Sequence, residues 1–198
     1  MKKILFNNKY GLTKAVLSGS KTQTRRPVPQ RILDMIPSYR EEYFEAALED
    51  ISIEDAIYNL THGERRAKMP FRIGEEVAIA QSYSCIFHDD GTREFDRNAP
   101  GWNNKMFVRA ELMPHRIRIT GMRIERLQDI SYADCIREGI IEDAKDVQYS
   151  FPTEIGYCGQ YPFDTPQAAF GALIDKISGK GTWDGNPWVF VYDFELTA

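Results

Sequence analysis

The chain predicts an α+β fold around a small, bent, largely antiparallel β-barrel, and three observations carry that expectation. From His115 to Leu127 the apolar positions alternate as in a strand but change phase. Ile117 and Ile119 are odd-numbered, Met122 and Ile124 even-numbered, and Gly121 stands at the crossover, which is the pattern of a β-bulge that bends a sheet. From Pro187 to Leu196, Trp188, Phe190, Tyr192 and Phe194 fall on one face, while Val189 and Val191 give way to Asp193 and Glu195 on the other. That is a final strand. Strands and helices do not alternate in the order a parallel sheet requires, and no internal repeat appears.

The remaining elements follow in order. Residues 3–7 form a short apolar strand. A small helix from about Tyr10 to Ser18 shares Leu12, Ala15 and Val16 on a face, and Gly19 ends it in the left-handed conformation. Arg26 precedes Pro27 and is pushed toward extended geometry, so Lys21 to Arg26 reads as a loop or the entry to a strand. Residues 28–70 read as an insertion with one or two helices, apolar at Tyr43, Phe44, Ala47 and Leu48 and again at Ile53, Ala56, Ile57 and Leu60. Val77, Ile79, Gln81 and Tyr83 alternate with Ala78, Ala80 and Ser82 after a turn at Gly74, as in a mostly buried strand. Asp89 to Thr92 is a turn, and Asn98 to Lys105 is loop-like. Ser131 with Asp134 has capping-box spacing, giving a helix to about Glu138 that Gly139 ends. Glu138 would then meet the unfavourable end of the helix dipole, and a cation nearby would compensate. Thr165 and Pro166 begin a further helix through Leu173 and Ile177.

With 198 residues and 42% hydrophobic content, the chain is long enough for one well-buried core in one elaborated domain. No stretch approaches the roughly 18 apolar residues of a membrane span, and the first six residues are too short for a signal peptide's apolar region, so a cytoplasmic protein without membrane contact is expected. Cys85, Cys135 and Cys158 are odd in number and widely spread, as befits packing residues in a reducing compartment. The net charge of −4 conceals an asymmetry: residues 1–40 hold nine basic residues and one acid, Asp34, a local +8 against −12 elsewhere. Such a segment is either a face balanced by acids folded against it or a local basic patch. Arg116, Arg118 and Arg123, on the polar face of their strand, are open to the same two readings.

Metal chemistry finds little support. Cys85 and His88 have no second pair at zinc-site spacing, and His62 and His115 stand alone, so neither a metal nor a cofactor is expected. Glycine-rich phosphate loops and the Gly-x-Ser-x-Gly elbow are absent. What remains is Gly19-Ser20-Lys21-Thr22-Gln23-Thr24-Arg25-Arg26, with an amine, hydroxyls and two guanidiniums in consecutive positions, together with the distant Glu138. A threonine hydroxyl becomes a nucleophile when a base takes its proton, and a lysine is such a base when burial or neighbouring cations lower its pKa. Arg25 and Arg26 supply the cations, and a carboxyl group can carry a proton to the leaving group. In a strictly extended strand Lys21 and Thr24 would face opposite ways, so a shared site needs a turn between them. The alternative is a solvated loop that attracts anions, with Thr24 a turn hydroxyl and Glu138 a surface acid.

Gly19-x-Lys21-x-x-Thr24-x-Arg26 resembles the signature of the ASCH domain family. Met113-Pro114, Glu125 to Ser131, Glu138-Gly139-Ile140 and Trp183 to Val189 are similar, in order, to landmarks of a longer, often prophage-encoded subgroup. The resemblance implies a single PUA-like barrel over residues 1–198, with insertions at about 28–70, 84–105 and 142–164. It implies binding of RNA or a modified nucleoside in a cleft lined by the motif, with Gly19, Thr22, Arg25 and Arg26 as binding residues and Tyr83 or Trp183 as a stacking surface. Trp188, another candidate for stacking, is expected to pack within the barrel. One branch of the family is similar in its site to acetylcytidine amidohydrolases. That likeness implies the alternative function: Lys21 activates Thr24, Thr24 attacks the acetyl carbonyl, and Glu138 assists proton transfer to the departing amine. Those hydrolases are about half this length, and the insertions of this chain could lid, block or repurpose the pocket.

Overall fold

The structure, a computed structural model, describes residues 1–63, 67–87, 96–143, 148–152 and 163–197. Seven strands and seven helices longer than a single 3-10 turn are seen among them. In chain order they are β1 (Lys2–Ile4), α1 (Leu12–Leu17), β2 (Gln23–Pro27), α2 (Gln30–Leu33), α3 (Ile36–Ala47), α4 (Ile53–His62), β3 (Glu76–Ile79), α5 (Tyr83–Ile86), β4 (Arg116–Arg126), α6 (Tyr132–Arg137), β5 (Ile141–Asp143), β6 (Gln148–Ser150), α7 (Pro166–Ser178) and β7 (Trp188–Thr197). The turn expected at Asp89 to Thr92, together with His88 and Cys158, lies outside the described residues.

Five strands form one sheet in the order β1-β3-β4-β7-β2, antiparallel except for the parallel pair β1–β3. The long β4–β7 ladder is its spine, and its register shifts between Ile119 and Gly121, where the change of phase had placed a bulge. Gly121 has no Cβ for a close reason: one built there would lie 2.9 Å from Asp193 Oδ2 on the facing strand. Both faces of β7 are covered through its middle, since Val189, Phe190, Val191 and Tyr192 are all buried.

The mixed α+β architecture is as expected, but among the described residues the small bent barrel is an open, mostly antiparallel sheet with flanking helices. Its edges are β1 and β2. At the seam, Arg26 of β2 donates from Nη2 to the carbonyl of Leu5, just past β1, at 2.8 Å and lies 5.9 Å from the centre of the Phe6 ring. A side chain thus occupies the place where a ladder of backbone hydrogen bonds would join the edges.

The segment read as an insertion, 28–70, is part of the main core: Ile32, Ala56, Ile57 and Leu60 are fully buried in it. Ser52 caps α4 by accepting the Asp55 N–H at 3.0 Å, and its apolar stripe faces inward. The apolar run of α3 does not do the same, since Phe44 and Leu48 are 53% and 80% exposed. A smaller cluster of Ala78, Ala80, Tyr83, Val108, Ala110 and Met113 packs on the other side of β3. Cys135 is buried, whereas Cys85 is exposed and accepts a hydrogen bond from Ser82 Oγ, so only the first is a packing residue.

Candidate functional site

Lys21 is placed by backbone hydrogen bonds rather than by a strand. The chain leaves α1 through Gly19 at φ 77°, a left-handed turn that glycine adopts without strain. The Lys21 N–H then donates to Ala15 O at 3.0 Å, and the Thr22 N–H to Arg137 O at 2.9 Å. Because β2 begins only at Gln23, the alternation rule does not apply to Lys21, and it lines the same cleft as Thr24.

Glu138 arrives from the opposite direction. Ser131 caps α6 through the Asp134 N–H at 3.2 Å, and Gly139 at φ 99° ends it. A Cβ on Gly139 would stand 3.6 Å from the Lys21 Cβ, so the helix end lies directly on the lysine. The cation that an acid at a helix C-terminus calls for is therefore Lys21. Its Nζ donates to the Glu138 carboxylate and, at 2.8 Å, to the Glu138 carbonyl. Both side chains are almost wholly buried.

Arg25 completes the arrangement. Its Nη1 donates to Glu138 Oε1 at 3.0 Å and to Gln23 Oε1 at 2.7 Å, while Nε and Nη2 donate to Glu125 Oε1 at 3.0 and 2.6 Å. Glu125 in turn accepts from Arg123 Nε at 2.8 Å, Arg123 reaches Asp134 at 2.7 Å, and Arg137 reaches Asp193 at 2.7 Å. Burial holds the Lys21 ammonium below the ordinary lysine value despite the pull of Glu138, and Arg26 and Arg25 push it the same way. For Arg25, burial is outweighed by Glu138 and Glu125 together, and the guanidinium is held above its usual range.

The cleft is small, about 60 Å³. Lys21, Thr24, Arg25, Arg26, Glu138 and Asn7 supply its polar lining, and Leu12, Phe170, Leu173 and Ile177 are among its apolar walls. It lies at the seam between the sheet's edges, under α7. Thr24 is buried, and its hydroxyl makes no hydrogen bond to a described residue. A larger hollow of about 400 Å³ lies behind Gly139, but among its described lining residues Lys14 alone is charged. Chemistry, rather than size, singles out the smaller one.

Lys21, Thr24, Arg25, Arg26 and Glu138 thus come together; the other expected binding residues stand apart. Gly19 shapes the turn, and the Thr22 hydroxyl faces Arg137 at 3.4 Å. Tyr83 is buried in the smaller cluster, with Gly101 against its ring and its hydroxyl accepting the Arg109 N–H at 2.8 Å. Trp183 lies on Gly171 of α7, edge-on to Phe170. Neither ring lines the cleft, because each is consumed by packing. Trp188, half-buried in β7, carries the Arg126 guanidinium 4.5 Å from its ring centre.

Sequence reasoning had not singled out Glu125, Gln23, Asp134 or Asn7 as site residues. Glu125 had a usable signal, since it lies two residues from Arg123 on one strand and so shares its face. Asn7 had none. Some of the basic residues of the first forty are balanced by folded acids: Lys2 meets Glu75 at 2.9 Å, Arg40 meets Asp50 at 2.6 Å, and Lys21 and Arg25 meet Glu138. Arg116 and Arg118 pair with Glu76, and Arg123 with Glu125.

Among the described residues, no group of three or more His, Cys, Asp or Glu side chains could hold a metal ion, and no helix is long and apolar enough to cross a membrane. Comparison with known proteins adds nothing further, since no family model, curated protein or solved structure matches the chain.

Proposed function

We propose that this protein hydrolyses a small acyl amide carried by a nucleoside, with acetylated cytidine as the substrate class implied by the resemblance to ASCH proteins. The observation that carries the reading is the buried contact between the Lys21 amine and the Glu138 carboxylate on a cleft that also holds a threonine hydroxyl without a hydrogen-bond partner among the described residues. A cleft of about 60 Å³ admits an acyl group and leaves the sugar outside.

In the proposed reaction, Lys21 reacts in its deprotonated form, which burial brings within easier reach by lowering its pKa. Thr24 Oγ1 forms a bond to the acyl carbon while its proton passes to Lys21 Nζ. The carbon–nitrogen bond then breaks, and the proton travels from Lys21 through the Glu138 carboxylate to the departing amine. In the second half water bonds to the acyl carbon and gives a proton to Lys21, which returns it to Thr24 Oγ1 as the carbon–oxygen bond of the acyl-threonine breaks, releasing the acid and restoring the neutral amine and the hydroxyl. Arg25 holds the Glu138 carboxylate in place from the side away from Lys21.

The polynucleotide reading draws less support from the same geometry. Arg25, one of the binding residues that reading expects, has a side chain only 1% exposed and is spent on Glu125 and Glu138. The test is incubation of the purified protein with N4-acetylcytidine, followed by mass spectrometry. We expect wild-type protein to release cytidine and acetate, and Lys21→Ala to release neither. Wild-type protein that leaves this and other N4-acylated cytidines intact would overturn the hydrolase reading.

A further inference from the structure

Away from the cleft, and independently of any reaction in it, the α3 and α4 helices keep apolar side chains in water at a cost. Glu41, Phe44, Glu45 and Leu48 stand at i, i+3, i+4 and i+7 and so form one stripe along α3 and its cap. Phe44 is 53% and Leu48 80% exposed. Leu48 also closes the helix at φ 55° and ψ 24°, in the left-handed conformation, with its N–H donating to Phe44 O at 2.8 Å. Glycine adopts that conformation without strain, whereas the Cβ of a leucine crowds the backbone there. An exposed leucine where glycine fits best is unfavourable twice over, and an apolar contact made outside this chain accounts for it.

Charge sets this stripe apart from the other end of the same unit. Residues 41–55 hold seven acids and no lysine or arginine. Asp50 pairs with Arg40, whereas Glu41, Glu45 and Glu49 are exposed and make no ion pair with a described residue. Beyond the end of α4 lies a hollow of about 310 Å³, with Met69 and Ile73 among its walls and Thr61, His62 and Arg72 beside them. Lys68 and Arg72 are exposed there, and neither side chain makes an ion pair with a described residue. The ten residues of α4 span about 15 Å, so an acidic apolar projection and a basic apolar recess lie about one helix length apart.

We propose that these two helices form the contact between two copies of the chain, paired about a two-fold axis so that Phe44 and Leu48 of each copy enter the hollow of the other, and Glu41 and Glu45 meet Lys68 and Arg72. A two-fold contact requires a surface complementary to itself, and a projection of one charge beside a recess of the other is such a surface. A different basic protein would cover the stripe and leave the recess unused, whereas a second copy fills both. The acids exclude a polynucleotide, since they repel its phosphates.

Sedimentation equilibrium of the purified full chain tests the pairing. We expect wild-type protein to dimerise with a Kd of about 10–50 µM that weakens as salt rises from about 0.05 to about 0.5 M, because the charges involved are exposed. Leu48→Gly should raise Kd by about tenfold or more. Its thermal midpoint at about 1 µM, where both proteins are monomers, should be no more than about 2 °C below wild type, since glycine relieves the backbone and the lost side chain packs on nothing in the monomer. Glu45→Arg and Arg72→Glu each place like charges at both contacts of a homodimer, and each variant alone should be monomeric. Mixed in equal amounts they should dimerise again, because every contact of the mixed pair then joins opposite charges. Wild-type protein that stays monomeric at about 200 µM would overturn the proposal. So would a dimer that Leu48→Gly or the charge variants leave unweakened, or a mixture of the two charge variants that stays monomeric.

Discussion

At the scale of single residues, the Lys21–Glu138 contact is costly to maintain. Two charges with side chains 2% and 5% exposed have been taken out of water, and their attraction repays that cost only because the geometry is close and each has further partners. Glu138 accepts from both Lys21 and Arg25, so removing its carboxylate strands two buried cations at once. Glu138→Ala is therefore expected to lower stability by about 3–5 kcal/mol in urea denaturation, and Glu138→Gln by less, since an amide oxygen still accepts. A loss below about 1 kcal/mol for the alanine variant would mean that the pair is solvated and the site open. Cys135, close by, is a bystander: burial pushes its thiol up to about 12, out of reach as a nucleophile at neutral pH.

At the scale of elements, α7 roofs the cleft and is itself held by the loop that follows it. Thr165 caps its first turn through the Ala168 N–H at 3.2 Å, and Asp175 receives the Trp183 N–H at 2.9 Å, which folds the loop back on the helix. The Trp183 ring then rests on the bare backbone of Gly171, where an added Cβ would stand 2.8 Å from Cδ2. In an ordinary helix a glycine-to-alanine change gains about 1 kcal/mol. Here the ring must move, and Gly171→Ala is expected to cost about 1–2 kcal/mol net, with a shift in tryptophan emission, measured by fluorescence-detected unfolding. A more stable variant would show that the loop yields freely. Trp183 was legible in the sequence as a prominent aromatic in a landmark segment, but its neighbour at Gly171 was not. The pairing joins two elements, and nothing in the local pattern of either announces it.

At the scale of the whole molecule, stability should depend on pH through Lys21. Its pKa in the folded protein lies below the 10.5 of an ordinary lysine, so between those two values the unfolded chain binds the proton more readily than the folded one. Stability therefore rises with pH across that window, and below it the buried charge is a constant burden. Measured as the difference in unfolding free energy between wild type and Lys21→Met, the wild type should gain on the variant as pH climbs toward 10.5. A flat difference would show that Lys21 titrates as it would in water. The open seam of the sheet belongs to this scale too. Closure would have joined β1 to β2 and filled the space; the Arg26 side chain holds the edges near each other and leaves a cleft instead.

Local pattern was enough for much of the fold. The bulge at Gly121, the caps at Ser131 and Thr165, the left-handed turns at Gly19 and Gly139 and the final strand all follow from short-range rules of periodicity and backbone sterics, and all are present. Other features needed the packed chain, because they depend on which surfaces meet. Phe44 and Leu48 have the same apolar character as Ile57 and Leu60, yet the first pair is exposed and the second buried. The candidate site divides the same way. Lys21, Thr24 and Arg26 stand together in one stretch of sequence, so their types and spacing alone raised the possibility of a base beside a hydroxyl. Contacts across one hundred residues or more brought Glu138 and Glu125 to them, spent Arg25 on those acids and left the Nε of Arg26 without an acceptor among the described residues. Sequence determines which groups are available. Burial and long-range geometry decide which of them remain free to meet a ligand.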